Sequence, residues 1–203
     1  MTRSANQDWA VFFALVMAGA LVRVVFHDSF NLPNFSPVAA ISLFAGYYFS
    51  SAGLGLLIAP TIMLLSDCYI GFYSLPLMGT VYGMLTLPVV AGKFLKNWLR
   101  LDHANRLAAS GSFLGLVGSS LAASVAFFLV TNFVVWTEGR FYSLDFAGLT
   151  RCYVQALPFF RNTLLGDLFF SLVLFGTCAL LTRSGWSRSH ASHRQYATAG
   201  AGK

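Results

Sequence analysis

Polar residues in this chain come in short groups between long apolar runs, and those groups mark out the expected elements. The runs are Trp9 to Phe26, Pro37 to Ser50, Ala52 to Asp67, Leu75 to Leu95, Ser110 to Trp136 and Asn162 to Thr182. A helix crossing a hydrocarbon core of about 30 Å needs roughly 20 mainly apolar residues, so the pattern predicts six membrane helices, with Pro37–Ser50 the shortest. The first run reads as a retained helix and not a signal peptide, because its basic flank is poor (Arg3, offset by Asp8) and the chain stays apolar afterwards. Strand alternation at the ten-residue scale of a β-barrel is absent from the sequence, as are internal repeats. Residues 1–183 form one expected domain, and the polar segment 184–203 reads as a disordered cytoplasmic tail.

Composition agrees. The 203 residues are 57% hydrophobic and 10% charged, where soluble chains carry about a quarter charged residues. Three cysteines in a chain of this length exclude a disulfide scaffold. The net charge of +6 would suit nucleic acid if it were gathered in a patch, but the basic residues lie between apolar runs. Nucleic acid is therefore not an expected partner; a lipid bilayer is. The expectation is an all-α integral membrane protein, a bundle of six transmembrane helices.

Lys and Arg are retained on the cytoplasmic side. With both termini inside, the inner segments hold Arg3, then Lys93, Lys96, Arg100 and Arg106, then Arg183, Arg188, Arg194 and Lys203. The outer segments hold Arg140, Arg151 and Arg161, and Arg23 lies within the first helix. The same orientation gathers the segments rich in Pro, Asn, Tyr and Trp outside: 27–37, 66–76 and 136–158. An outward-facing binding site accounts for them; an interfacial aromatic belt accounts for part.

Asp28, Asp67 and Asp167 sit at or near the ends of apolar runs. A carboxylate inside a bilayer normally faces the bundle interior and has a partner, and Arg23 and Arg161 are the candidates. Asp167 follows Arg161 and Asn162 closely enough to cap its own helix. The segment SDCYIGFYSLP, Ser66 to Pro76, places Cys68 beside an aspartate and ahead of Tyr69, Phe72 and Tyr73. Aromatic faces beside a soft sulfur ligand suit a large flat ligand bearing a transition metal, whereas a solitary cysteine is commonly a small buried hydrophobe. His27 is a ligand or a solvated interfacial histidine. A membrane enzyme using the Cys68 thiol would need Asp67 or His27 as base within hydrogen-bond reach. The sequence has no CxxC pair, GxSxG, HExxH or P-loop, so any ATP-driven step would belong to separate chains. Ala10, Ala14 and Ala18 form a small-residue stripe along the first helix, where another helix can approach closely, from within the bundle or from a partner subunit.

The segments Asn34 to Phe49 (NFSPVAAISLFAGYYF), Leu64 to Phe72 (LLSDCYIGF), Phe127 to Trp136 (FFLVTNFVVW) and Cys152 to Phe170 (CYVQALPFFRNTLLGDLFF) resemble the substrate-binding S-components of energy-coupling-factor vitamin transporters. Among these, a cysteine at the position of Cys68 resembles the solitary cobalamin transporters of the BtuM group. The resemblance implies uptake of cobalamin or cobinamide across the bacterial inner membrane. Cys68 would be the axial cobalt ligand and would assist removal of an upper ligand such as cyanide. Tyr69, Phe72 and Tyr73 would then lie against the corrin ring, with polar reach from Asn34, Asn132, Arg140, Tyr142 and Tyr153. The Ala10, Ala14, Ala18 stripe resembles the surface by which S-components dock an energy-coupling membrane subunit with its ATPases; solitary members work without one. The alternative within the same class is uptake of another vitamin or small molecule, with Cys68 incidental.

Overall fold

In a computed structural model of the chain, residues 5–30, 32–98 and 106–200 are described, without the side chains of 97, 98, 106–113 and 181–200. The elements are α1 (Ala5–Asp28), α2 (Val38–Tyr48), α3 (Ala52–Ile70), α4 (Leu75–Thr86), α5 (Pro88–Trp98), α6 (Arg106–Thr137) and α7 (Phe146–Gly200), and no strand occurs among the described residues. Five stretches are long and apolar enough to cross a membrane: Ala5–Asp28, Ala52–Ile70, Leu75–Lys96, Leu114–Thr137 and Phe146–Leu180. Large apolar side chains such as Met17, Leu21, Leu57, Phe94 and Leu172 are exposed along them. An apolar surface this extensive is not tolerated in water. The protein is an all-α, multi-pass membrane protein.

The sixth apolar run, α2, has 11 residues. At 1.5 Å per residue it rises about 16 Å, half a hydrocarbon core. Its role is central packing: Val38 and every residue from Ala40 to Gly46 are buried, as expected of a helix apolar on all sides. Val38, Ile41 and Ala45 meet Phe12 and Val16 of α1 and Ile58, Ile62 and Met63 of α3 in one core. Leu43 and Phe44 meet Leu95, Leu116 and Phe175 in a second. Contact between α2 and α5 is backbone to backbone. A Cβ on Gly46 would stand 2.0 Å from the Val89 carbonyl oxygen, and one on Gly92 would stand 2.0 Å from the Leu43 carbonyl oxygen.

The expected helix Leu75–Leu95 is two helices. Pro88 has no N–H to donate to the carbonyl one turn back, and the segment divides there into α4 and α5 with Leu87 still in helical conformation. A larger correction concerns the segment 136–158, expected as an outer loop. The connection is short, and α7 begins at Phe146, sixteen residues before the expected start at Asn162. Asp145 caps it: its Oδ1 accepts from the Gly148 N–H at 2.6 Å and from the Ser143 hydroxyl at 2.9 Å. Those donors hold the Asp145 carboxyl below the usual carboxylate range. Replacing Asp145 by Ala removes the cap, and hydrogen-exchange protection in the first turns of α7 should fall.

The 35-residue stretch from Phe146 to Leu180 extends about 52 Å, some 20 Å more than the thickness of a hydrocarbon core. It packs along α6 as a hairpin. Along the hairpin Tyr153 donates to the Leu129 carbonyl at 2.7 Å, and the rings of Phe128 and Phe160 lie 4.6 Å apart. The α7 backbone also runs on to Gly200, through most of the segment read as a polar tail; residues 201–203 lie outside the described ones.

Candidate functional site

One end of the bundle, where α1, α3 and α6 finish and α4 and α7 start, contains a cavity of about 330 Å³. Each neighbouring element contributes to its wall. Arg23 and His27 come from α1, Met63 and Ile70 from α3, and Leu77 and Val81 from α4. On the far side stand Phe127, Phe128, Thr131 and Asn132 of α6 and Phe159, Phe160, Thr163 and Asp167 of α7. Residues 32–36 close it as a loop. Asn162 Nδ2 donates to the Pro33 carbonyl at 3.1 Å, and Gly166 lets the loop backbone approach α7, because a Cβ there would lie 3.1 Å from Ser36 N. Asn34 takes φ 66° in that loop, a conformation Asn tolerates better than other side chains.

Two carboxylates lie in this region, in different states. Asp67 is fully buried and held on both oxygens: Arg23 Nη1 donates to Oδ1 at 2.5 Å and the Tyr82 hydroxyl to Oδ2 at 2.7 Å. Arg23 Nη1 also reaches the Ser66 hydroxyl at 2.5 Å. The pair joins α1, α3 and α4. Asp167, 4% exposed, accepts from the Ser124 hydroxyl at 2.6 Å, and among the described residues no basic side chain pairs with it. Asp167 is thus 21 residues, about six turns, inside α7. The capping role expected from its nearness to Asn162 is replaced by a contact across to α6. Arg161, the other expected cation, is exposed. Asp28 pairs with His27 at the rim, 2.8 Å apart.

The expected site residues divide into two groups. Tyr73, Asn34, Asn132 and His27 share the cavity wall. Cys68, Tyr69, Phe72, Arg140, Tyr142 and Tyr153 are not part of it. Cys68 is exposed. On α3 it stands about 140° around the axis from Met63, on the side of the exposed Leu64 and Leu65. Tyr69 and Phe72 are exposed as well. Tyr142 donates to Gln155 Oε1 at 2.9 Å, so it and Tyr153 brace the α6–α7 hairpin, with exposed Arg140 at its tip. No hydrogen bond among the described residues reaches Cys68, and the two expected bases are engaged elsewhere, Asp67 with Arg23 and Tyr82 and His27 with Asp28. Cys152 is buried with its thiol on the Asn132 carbonyl at 3.3 Å, and Cys178 packs beside the second core. Ala10, Ala14 and Ala18 are all exposed on α1. No group of three metal-ligating side chains occurs among the described residues.

A family model described as a family of unknown function (DUF6580) matches residues 3–190. The chain belongs to that family. No curated protein and no solved structure matches it. The cavity of this DUF6580 member is therefore characterised by its own chemistry, and part of its wall escaped sequence reasoning. Phe127, Phe128, Phe159 and Phe160 stand as two FF pairs, each followed within four residues by Thr and Asn. That recurrence was available as a signal, because one helical turn separates each ring from a polar group on the same face.

Tyr73, in the turn between α3 and α4, is a wall residue with an altered titration. Burial pushes its hydroxyl up to about 12; the Asp67 charge adds to the rise and Arg23 opposes it. A folded-state value above the ordinary 10.0 means that the contribution is complete below pH 10 and is lost as pH rises toward 12. Phenolate absorbance should show a late-titrating component, and Tyr73→Phe should diminish it.

Proposed function

We propose that the protein is an S-component-like solute-uptake protein of the bacterial inner membrane. Its six apolar segments form the bundle, with both termini cytoplasmic, and its cavity captures a small organic molecule from outside. The observation that carries this reading is the cavity itself: about 330 Å³, walled by aromatic side chains and a few polar groups, at one end of an apolar helix bundle. Such a volume lies at the lower limit of small-molecule sites, about 300–1,000 Å³, and suits a ligand much smaller than a corrin. The excess of Lys and Arg on the segments at the opposite end supports the orientation. An energy-coupling subunit with ATPases would dock on the exposed Ala10, Ala14, Ala18 stripe; a solitary mode of action would leave that stripe to lipid.

The test is accumulation of radiolabelled water-soluble vitamins by cells that express the protein. One solute should accumulate above the empty-vector level, and Ala123→Phe, which fills the cavity from α6, should abolish the gain. Accumulation that survives this substitution would remove the cavity from the uptake route.

A second reading is corrinoid uptake with Cys68 as the axial cobalt ligand. It is supported by the exposed Cys68 thiol and the exposed Tyr69 and Phe72 rings, which a broad flat ligand would approach from outside the cavity. Purified protein mixed with cobinamide or cyanocobalamin would then show a shifted cobalt absorption spectrum that Cys68→Ala eliminates. An unchanged spectrum in wild type would end this reading and leave the first standing.

A further inference from the structure

Donors and acceptors on the cavity wall are unevenly spent. The hydroxyl protons of Thr131 and Thr163 are committed to the Phe127 and Phe159 carbonyls at 2.7 and 3.0 Å. Asn132 directs an Nδ2 proton to the Phe128 carbonyl at 2.8 Å. Each is a bond one turn back along the same helix, and each leaves oxygen lone pairs for the cavity. The two basic groups on the wall are already matched, Arg23 by Asp67 and His27 by Asp28. Asp167 is different. It is a wall residue, 96% hidden from solvent by relative area, with one hydroxyl donor and no basic partner among the described residues. A buried carboxylate with so little compensation is costly, and it becomes favourable when a cation enters beside it. Aromatic faces reinforce the same preference, because a ring's negative face attracts a cation within about 6 Å; Phe128 and Phe160 form a close ring pair on this wall.

We infer that the cavity selects a small flat organic cation, a protonated nitrogen carried on or next to an aromatic ring, with Asp167 as its counter-ion. The inference rests on the binding role proposed above and names the chemical class of the ligand. A carboxylate placed beside Asp167 would meet its negative charge and the lone pairs of Thr131 and Thr163. Ser124 positions the Asp167 carboxylate without neutralising it, so the selection resides in Asp167.

Three probes of nearly equal shape separate charge from size: benzamidinium, benzamide and benzoate. Thermal unfolding of the detergent-solubilised full chain should be protected by benzamidinium, less by benzamide and least by benzoate. Asp167→Asn keeps the side-chain shape and can still accept the Ser124 hydroxyl. Its apparent affinity for benzamidinium should fall about tenfold or more, the loss expected of one charge-assisted hydrogen bond, while benzamide changes little. Ser124→Ala keeps the carboxylate and should keep the preference. Benzoate protecting as well as benzamidinium in wild type overturns the inference without any variant, and so does an unchanged preference in Asp167→Asn. A preserved preference for the cation in a protein whose cells accumulate no solute would overturn the uptake reading alone.

Discussion

Arg23→Met should lower the stability of the solubilised protein by about 3–5 kcal/mol, because it leaves Asp67 charged in a fully buried site with only the Tyr82 hydroxyl on it. In a chain of this length that is a fall of roughly 10 °C in the unfolding midpoint. Asp67→Leu should cost less. The Arg23 side chain is 18% exposed, and its long stem can carry the guanidinium to water. The double variant Arg23→Met with Asp67→Leu should recover much of the loss, since replacing a buried pair by apolar groups is often neutral. A double variant no more stable than Arg23→Met alone would show that the orphaned carboxylate is not the source of the cost.

The second large effect lies at the α2–α5 crossing. Gly46→Val and Gly92→Val each introduce a Cβ into space occupied by a backbone carbonyl, 2.0 Å away in both cases. Rotation of a flexible side chain cannot relieve this, so the helices must separate. The expected loss is at least the ~1–3 kcal/mol of ordinary core overpacking. Gly79→Ala and Gly83→Ala on α4 are the matched controls, because nothing lies within 4 Å of a Cβ at either position. Their midpoints should be unchanged or slightly raised, Ala being the better helix former. Equal losses at all four positions would mean that close approach at the α2–α5 crossing is not the source of the cost.

Those two sites also show what the sequence could and could not convey. The Arg23–Asp67 pair was legible as a choice among few cations, because a membrane carboxylate needs a partner and Arg23 is the cation inside an apolar run. Central α2 was visible as an apolar run, but its shortness hid its role, which depends on how many helices surround it. The start of α7 was hidden by its polar first turns and by Pro158, which normally interrupts a helix and here lies within one. Moving that start by sixteen residues changed Asp167 from a helix-end residue into a deep one, and its partner Ser124 is 43 positions away, beyond any local pattern. The motif SDC did not reveal which way each of its residues faces. Successive helical residues point about 100° apart, and here Ser66 and Asp67 turn inward while Cys68 is exposed.

The glycine crossing has a mechanical consequence. With carbonyl oxygens of each helix seated against the other's glycine, α2 and α5 behave as a single beam through the middle of the molecule. The cavity wall includes neither Gly46 nor Gly92 and takes only Ala39 from the beam; the rest comes from α1, α3, α4 and their connecting turn, the 32–36 loop and the α6–α7 hairpin. On the proposed uptake reading, entry and exit of a ligand would require those outer parts to move about this spine, with the 32–36 loop fastened to α7 by Asn162.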